Sequence, residues 1–209
     1  MGRGSGGTRN TGGNKGSGGL PPSEGDYRGK VEKVETLKNI QNPALYKEVK
    51  SAISRFESAL GFRQRNVKLA VLENGVGGVH RTTDGKSEGV YLNSKVFKEG
   101  TVKSVSQWSS GAYTSGHLTR TNKPVAHIVT HELAHATWNA HMTGTRQTKA
   151  APELKRLYSQ WRKERPSGYG RYASTNISEW FAETATKAIH GTADKYTRGV
   201  KRIIKKYGL

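Results

Sequence analysis

The chain has 209 residues, with 35 Lys and Arg against 16 Asp and Glu for a formal net charge of +19, and it has no cysteine. Disulfides and metal–thiolate sites are therefore excluded, and any metal site must use His and carboxylate ligands. No apolar run reaches the length of a membrane span and the polar N-terminus lacks the apolar core of a secretory signal, so a soluble chain is expected, in the cytoplasm, on a virion or released.

Residues Met1 to Asp26 mix glycine with Ser, Thr, Asn, Arg and Lys and contain almost nothing apolar. Such a segment cannot offset its ordering entropy by burial and is expected to be a disordered tail, residues 1–26, ahead of one domain, residues 27–209. Asn42-Pro43 starts a helix in which Leu45, Val49, Ile53, Phe56 and Leu60 recur at helical spacing until Gly61. Val67 to Leu72 reads as a strand and Asn74-Gly75 as a turn. After a glycine-rich loop, Gly89 to Asn93 reads as a second strand. Thr101 to Lys123 is polar and poorly periodic and reads mostly as loop. Three helices follow: Pro124 to about Ala140 with Thr121 or Asn122 as cap, Pro152 to about Pro166, and Asn176 to Gly191. A last one over Lys195 to Lys206 has an apolar side in Val200, Ile203 and Ile204 and a basic side in the rest. The sum is an α+β domain, several helices packed on a small sheet.

The helix from Pro124 carries His131-Glu132-Leu133-Ala134-His135. Residues four apart on a helix leave the same face one turn apart, so both imidazoles can bind one metal ion with Glu132 beside it, the arrangement of a hydrolytic zinc site. Val125, Ile128, Val129, Leu133 and Ala136 read as core, where an uncompensated carboxylate would be costly. A catalytic zinc needs a third protein ligand. His141 has the spacing of the longer metzincin signature, but Trp138 stands where that signature has glycine and no later methionine supplies its Met-turn. The other candidate is Glu179, with Glu183 one turn further along the same helix face.

Around Glu179 the stretch Tyr172-Ala173-Ser174-Thr175-Asn176-Ile177-Ser178-Glu179-Trp180-Phe181-Ala182-Glu183 resembles the gluzincin peptidases, and more closely the catalytic domain of anthrax lethal factor and its relatives in toxins and bacteriophage proteins. That resemblance implies a zincin-like metallopeptidase fold, Zn2+ held by His131, His135 and Glu179, and Glu183 orienting a zinc-bound histidine. It also implies Tyr172 as the oxyanion stabiliser, for which Tyr169 is a nearby competitor. The chain departs from the family at Trp180.

The function expected is zinc-dependent hydrolysis of a protein or peptide, with Glu132 as general base. By the general layout of zincins, the strand Gly89 to Asn93, with Val90, Tyr91 and Leu92 at its centre, is expected to pair through a free edge with an extended substrate. The basic segments Lys155 to Arg171 and Lys195 to Lys206 are expected either to be a solvated face or to contact nucleic acid or another polyanion. Three rivals stay open. One is a DNA-associated protease of the SprT kind, although neither that family's later histidine nor its cysteine ribbon has a counterpart here. Another is a nucleic-acid-associated structural or virion protein with a non-catalytic metal site, against which Glu132 argues. The third is a toxin domain released from a larger precursor.

Overall fold

Asn42 accepts a hydrogen bond from the Leu45 amide at 2.9 Å and Pro43 occupies the first turn, which starts α1 (Pro43–Leu60); Gly61 ends it in the left-handed conformation, φ 74°. The computed structural model describes residues 27, 29–64, 66–142 and 149–208, so the expected tail, residues 1–26, lies outside the described residues. The remaining helices are α2 (Ser94–Phe97), α3 (Val102–Thr114), α4 (Pro124–Met142), α5 (Ala150–Glu164), α6 (Ile177–His190) and α7 (Lys195–Tyr207). Four strands, β1 (Glu32–Glu35), β2 (Val67–Val71), β3 (Gly78–Thr83) and β4 (Lys86–Asn93), form one mixed sheet in the order β1-β2-β4-β3. The architecture is α+β, as expected, and none of the described helices is long and apolar enough to cross a membrane.

Helix α4 is the centre of the molecule. α1 and α6 pack along it, β3, β4 and α3 complete its surroundings, and Val129, Leu133 and Trp138 are fully buried. Leu69, Val90 and Leu92 face this main core, whereas Ala70, Leu72, Val79 and Tyr91 form a smaller cluster with Tyr27 and Val31. Both faces of the sheet are thus covered, which is why β4 reads as a continuous apolar run rather than an alternating one.

Three departures from expectation bear on the site. β3 lies inside the stretch read as a glycine-rich loop, because Gly78–Thr83 offers only one large aliphatic residue, Val79. Its hairpin to β4 turns on Asp84 and Gly85, both at positive φ, 52° and 73°; this two-residue turn was the legible signal. α3 falls in the region read as loop. Its sequence is rich in serine, and its start is fixed by a capping box between Thr101 and Ser104 rather than by an apolar stripe. The expected free edge at Gly89 to Asn93 is also wrong: β4 pairs with β2 in parallel on one side and with β3 antiparallel on the other. Val90, Tyr91 and Leu92 are buried and cannot bind an extended substrate by strand addition. The strands at the two edges are β1 and β3, and β3 is the one that borders the cleft.

Two ends shift slightly. α5 begins at Ala150, placing Pro152 in the first turn, where its missing N–H leaves no helical bond unmade. Ahead of α4, Thr121 Oγ1 accepts from the Lys123 amide at 3.4 Å, one residue before Pro124.

Candidate metal centre

His131 and His135 leave the same side of α4, as their spacing requires, and meet Glu179 from the first turn of α6. The Asn176 side chain accepts from the Glu179 amide at 2.9 Å, so the cap that starts α6 also fixes where Glu179 leaves it. His131 Nε2, His135 Nε2 and Glu179 Oε2 form a near-equilateral triangle, with sides of 3.1, 3.1 and 3.2 Å. Four ligands at about 2.0–2.1 Å from a tetrahedral zinc ion are roughly 3.3 Å apart, so three such atoms are close to one face of that tetrahedron. The donor set also fits a cation chemically. Two imidazole nitrogens at 3.1 Å cannot both carry protons, and their lone pairs repel unless positive charge lies between them.

Two carboxylates reinforce that polarity. Burial works against ionising Glu179, but the charges and hydrogen bonds of His135 and His131 outweigh it and hold the carboxyl well below its usual range. Glu183 is fully buried and behaves alike, with His127 and His131 as the groups that outweigh burial. For His131 burial favours the neutral ring, yet hydrogen bonding to Glu179 and Glu183 pushes its pKa up. The centre is built to retain positive charge.

Glu183 lies beside His131, its Oε1 3.0 Å from His131 Nδ1. A proton on Nδ1 leaves the Nε2 lone pair directed at the triangle. Glu132 points into the same cleft beside the edge strand. Burial raises its pKa, opposed by His131 and His135, and it takes a backbone hydrogen bond from His80 of β3. Gly77 and Gly78 let this edge approach so closely: a Cβ at Gly77 would lie 2.8 Å from the Trp108 ring, and one at Gly78 would lie 3.0 Å from Glu132 Cγ.

Tyr172 reaches the cleft from the 3-10 turn Arg171–Ser174 and stacks on His131 at a centroid distance of 5.7 Å. Burial, then the charges of Glu179 and Glu132, raise its phenol well above the ordinary value, so it remains a proton donor. Its backbone is tied to the segment after α3: the Tyr172 amide donates to His117 O at 2.9 Å and the Gly170 amide to Thr119 Oγ1 at 3.0 Å. Gly170 is obligatory at this crossing, where a Cβ would sit 2.2 Å from the Leu118 carbonyl carbon. Tyr169 is not a competitor. Its hydroxyl donates to Asp194 Oδ1 at 3.3 Å and its ring carries the Lys187 ammonium at 4.1 Å, away from the cleft.

His141 stays on α4, ten residues or about 15 Å along the axis from His131, and packs edge-on against Phe62 at 5.2 Å. Trp138 is fully buried against Phe181, and the helix runs straight through it. Of the two candidates for a third ligand, Glu179 lies beside His131 and His135 and His141 does not. The groups of the described residues able to hold a metal are His131–His135–Glu179 and His127–His131–Glu183. They share His131 through its two different nitrogens. The first opens on a cleft of about 490 Å³ lined also by Glu132, Tyr172, Trp108 and Gly75 to Val79.

Sequence reasoning missed His127, His117, Thr119 and Trp108. His127 was readable, because 127, 131 and 135 share one face of a helix. The others belong to or follow α3, whose polar composition hid the element that places them.

Comparison with protein-family models, with curated proteins and with solved structures finds no match.

Proposed function

We propose that the chain is a zinc-dependent peptidase of the gluzincin kind with a zincin-like fold. The observation that carries this reading is the triangle of His131 Nε2, His135 Nε2 and Glu179 Oε2 on the floor of an open cleft, with Glu132 and Tyr172 at its rim. A zinc ion bound there supplies Lewis acidity toward a water and a peptide carbonyl. Glu132 takes the proton of the attacking water and passes it to the leaving amine. Tyr172 donates its phenol hydrogen to the oxyanion that develops on the carbonyl oxygen. β3, at the sheet edge and beside Glu132, offers its backbone to an extended peptide, and Trp108, Val76, Val79 and Ile128 offer apolar contact for side chains.

The test joins metal content to chemistry. Purified protein should hold close to one zinc per chain, and Glu132→Gln should keep metal and fold while losing cleavage of a peptide library by at least about a hundredfold. Cleavage undiminished in Glu132→Gln would sink the proposed role. Zinc retention with no cleavage by wild type would favour a non-catalytic metal protein.

A second reading concerns partners. α7 exposes Lys195, Arg198, Lys201, Arg202, Lys205 and Lys206 while Val200, Ile203 and Ile204 are buried. Lys195 pairs with Glu164 and Lys206 with Glu153, while Arg198, Lys201, Arg202 and Lys205 line one exposed basic stripe of the helix. With its apolar side in the core, α7 has nothing to insert into a bilayer, and we propose contact with a nucleic-acid backbone instead.

A further inference from the structure

Helix α4 carries a third histidine that the chemistry above does not use. His127 lies one turn before His131, is 1% exposed, and stacks parallel to the His131 ring at 6.0 Å. Its Nε2 is 3.3 Å from Glu183 Oε1, the same oxygen that meets His131 Nδ1 at 3.0 Å. The other oxygen, Glu183 Oε2, accepts the Thr119 amide at 2.6 Å. Three nitrogens thus surround a fully buried carboxylate, the Thr119 amide on one oxygen and the two imidazoles on the other.

That division of donors has a consequence for His131. The Thr119 bond anchors Oε2 but lets the carboxylate turn about it. Oε1 is fixed between the two imidazoles only while both donate, because each limits its movement toward the other. Thr119 also accepts from Gly170, in the segment that holds Tyr172, so one buried junction links the orientation of a metal ligand to the placement of the phenol. A buried histidine kept merely for packing would need no donor aimed at this oxygen.

Resting on the metal reading above, we infer that His127 is a positioning residue: it locks the Glu183 carboxylate so that Glu183 holds His131 in the tautomer and orientation a metal requires. In this role it acts through Glu183 and not as a ligand of the His131–His135–Glu179 site. The effect of removing such a support on metal affinity is on the order of ten- to a hundredfold.

The test measures zinc affinity of the full chain by competition with a chromophoric chelator, and the visible spectrum of the cobalt(II)-loaded protein, for wild type and three variants. His127→Phe keeps the ring shape without a donor. His127→Asn has a donor too short to reach Glu183, and His127→Gln carries an N–H to about the reach of the imidazole Nε2. Phe and Asn should each weaken zinc binding roughly ten- to a hundredfold and shift the cobalt bands, whereas Gln should stay within about threefold of wild type with unshifted bands. If the Phe form does not fold, Asn against Gln gives the same comparison. Phe or Asn binding zinc as tightly as wild type would overturn the inference, as would Gln losing as much as they do. Wild type that binds no zinc at all would instead overturn the metal reading itself.

Discussion

Helices α6 and α7 follow one another in the chain and pack together, yet they carry charge in opposite ways. α7 keeps its Lys and Arg in water and buries Tyr196, Val200, Ile203 and Ile204, the ordinary arrangement of an amphipathic surface helix. α6 buries almost its whole length, including Glu179 and Glu183 at 1% and 0% exposure. A solvated lysine costs a fold little, but a buried carboxylate costs several kcal/mol unless paired. The partners α4 provides are His127, His131 and His135. Charge on α7 therefore says little about function by itself, whereas charge on α6 demands an explanation that the proposed metal centre would supply.

The largest way to break this contrast is to remove a buried charge. Glu179→Ala should lose most of the bound zinc, while His141→Ala should keep it, as read by metal analysis after gel filtration. Metal retained by the first and lost by the second would reverse the ligand assignment. On α7 the comparable blow falls on the apolar side. Ile203→Ala should cost about 2–4 kcal/mol in denaturant unfolding, because Ile203 is 1% exposed in the main core. An Ile203→Ala change within 0.5 kcal/mol, roughly the range of a surface substitution, would mean that α7 is not part of the cooperative core.

Tyr172→Phe should leave zinc content unchanged and lower kcat by about a hundredfold, the usual cost of one oxyanion donor. An unchanged kcat would leave Tyr172 as a packed side chain of the cleft wall.

A smaller effect comes from His190, at the end of α6. Its pKa is pushed down to about 4, by burial first and then by the charges of Arg55, His127 and Lys123, and its Nε2 meets Thr130 Oγ1 at 2.8 Å. The folded pKa lies below the unfolded one, so the unfolded chain binds the extra proton between them. The neutral ring's contribution is present above about pH 6.5 and is lost as pH falls toward 4. The loss is on the order of 1–2 kcal/mol. His190→Gln should flatten the fall of stability over that window, and an equal slope in both proteins would place its source elsewhere.

The smallest expected change sharpens the contrast most. Lys201→Ala should alter stability by less than about 0.5 kcal/mol, yet weaken salt-dependent binding to DNA measured across a salt series. No affinity at low salt, or affinity that does not fall with added salt, would leave the basic side of α7 as a solvated face.

The sequence by itself determined the helices with strong local signals. α1 between Asn42 and Gly61 and α6 between Asn176 and Gly191 have starts set by caps, and α4 begins at Pro124, signals that act within a few residues. It also determined that His131 and His135 share a face, because helical geometry alone requires it. What lacked local signal was decided by tertiary structure. β3 has one large aliphatic residue and α3 is held by a capping box and by its packing on α4, so neither is marked by periodicity. The choice of Glu179 over His141, of Tyr172 over Tyr169, and of β3 rather than β4 as the edge depends on which distant segments meet. Those meetings are fixed by the packing of α6 on α4, by the Gly116 to Thr119 segment crossing Gly170, and by strand order. Such contacts join residues some 40 to 60 positions apart, and no spacing along the chain encodes them.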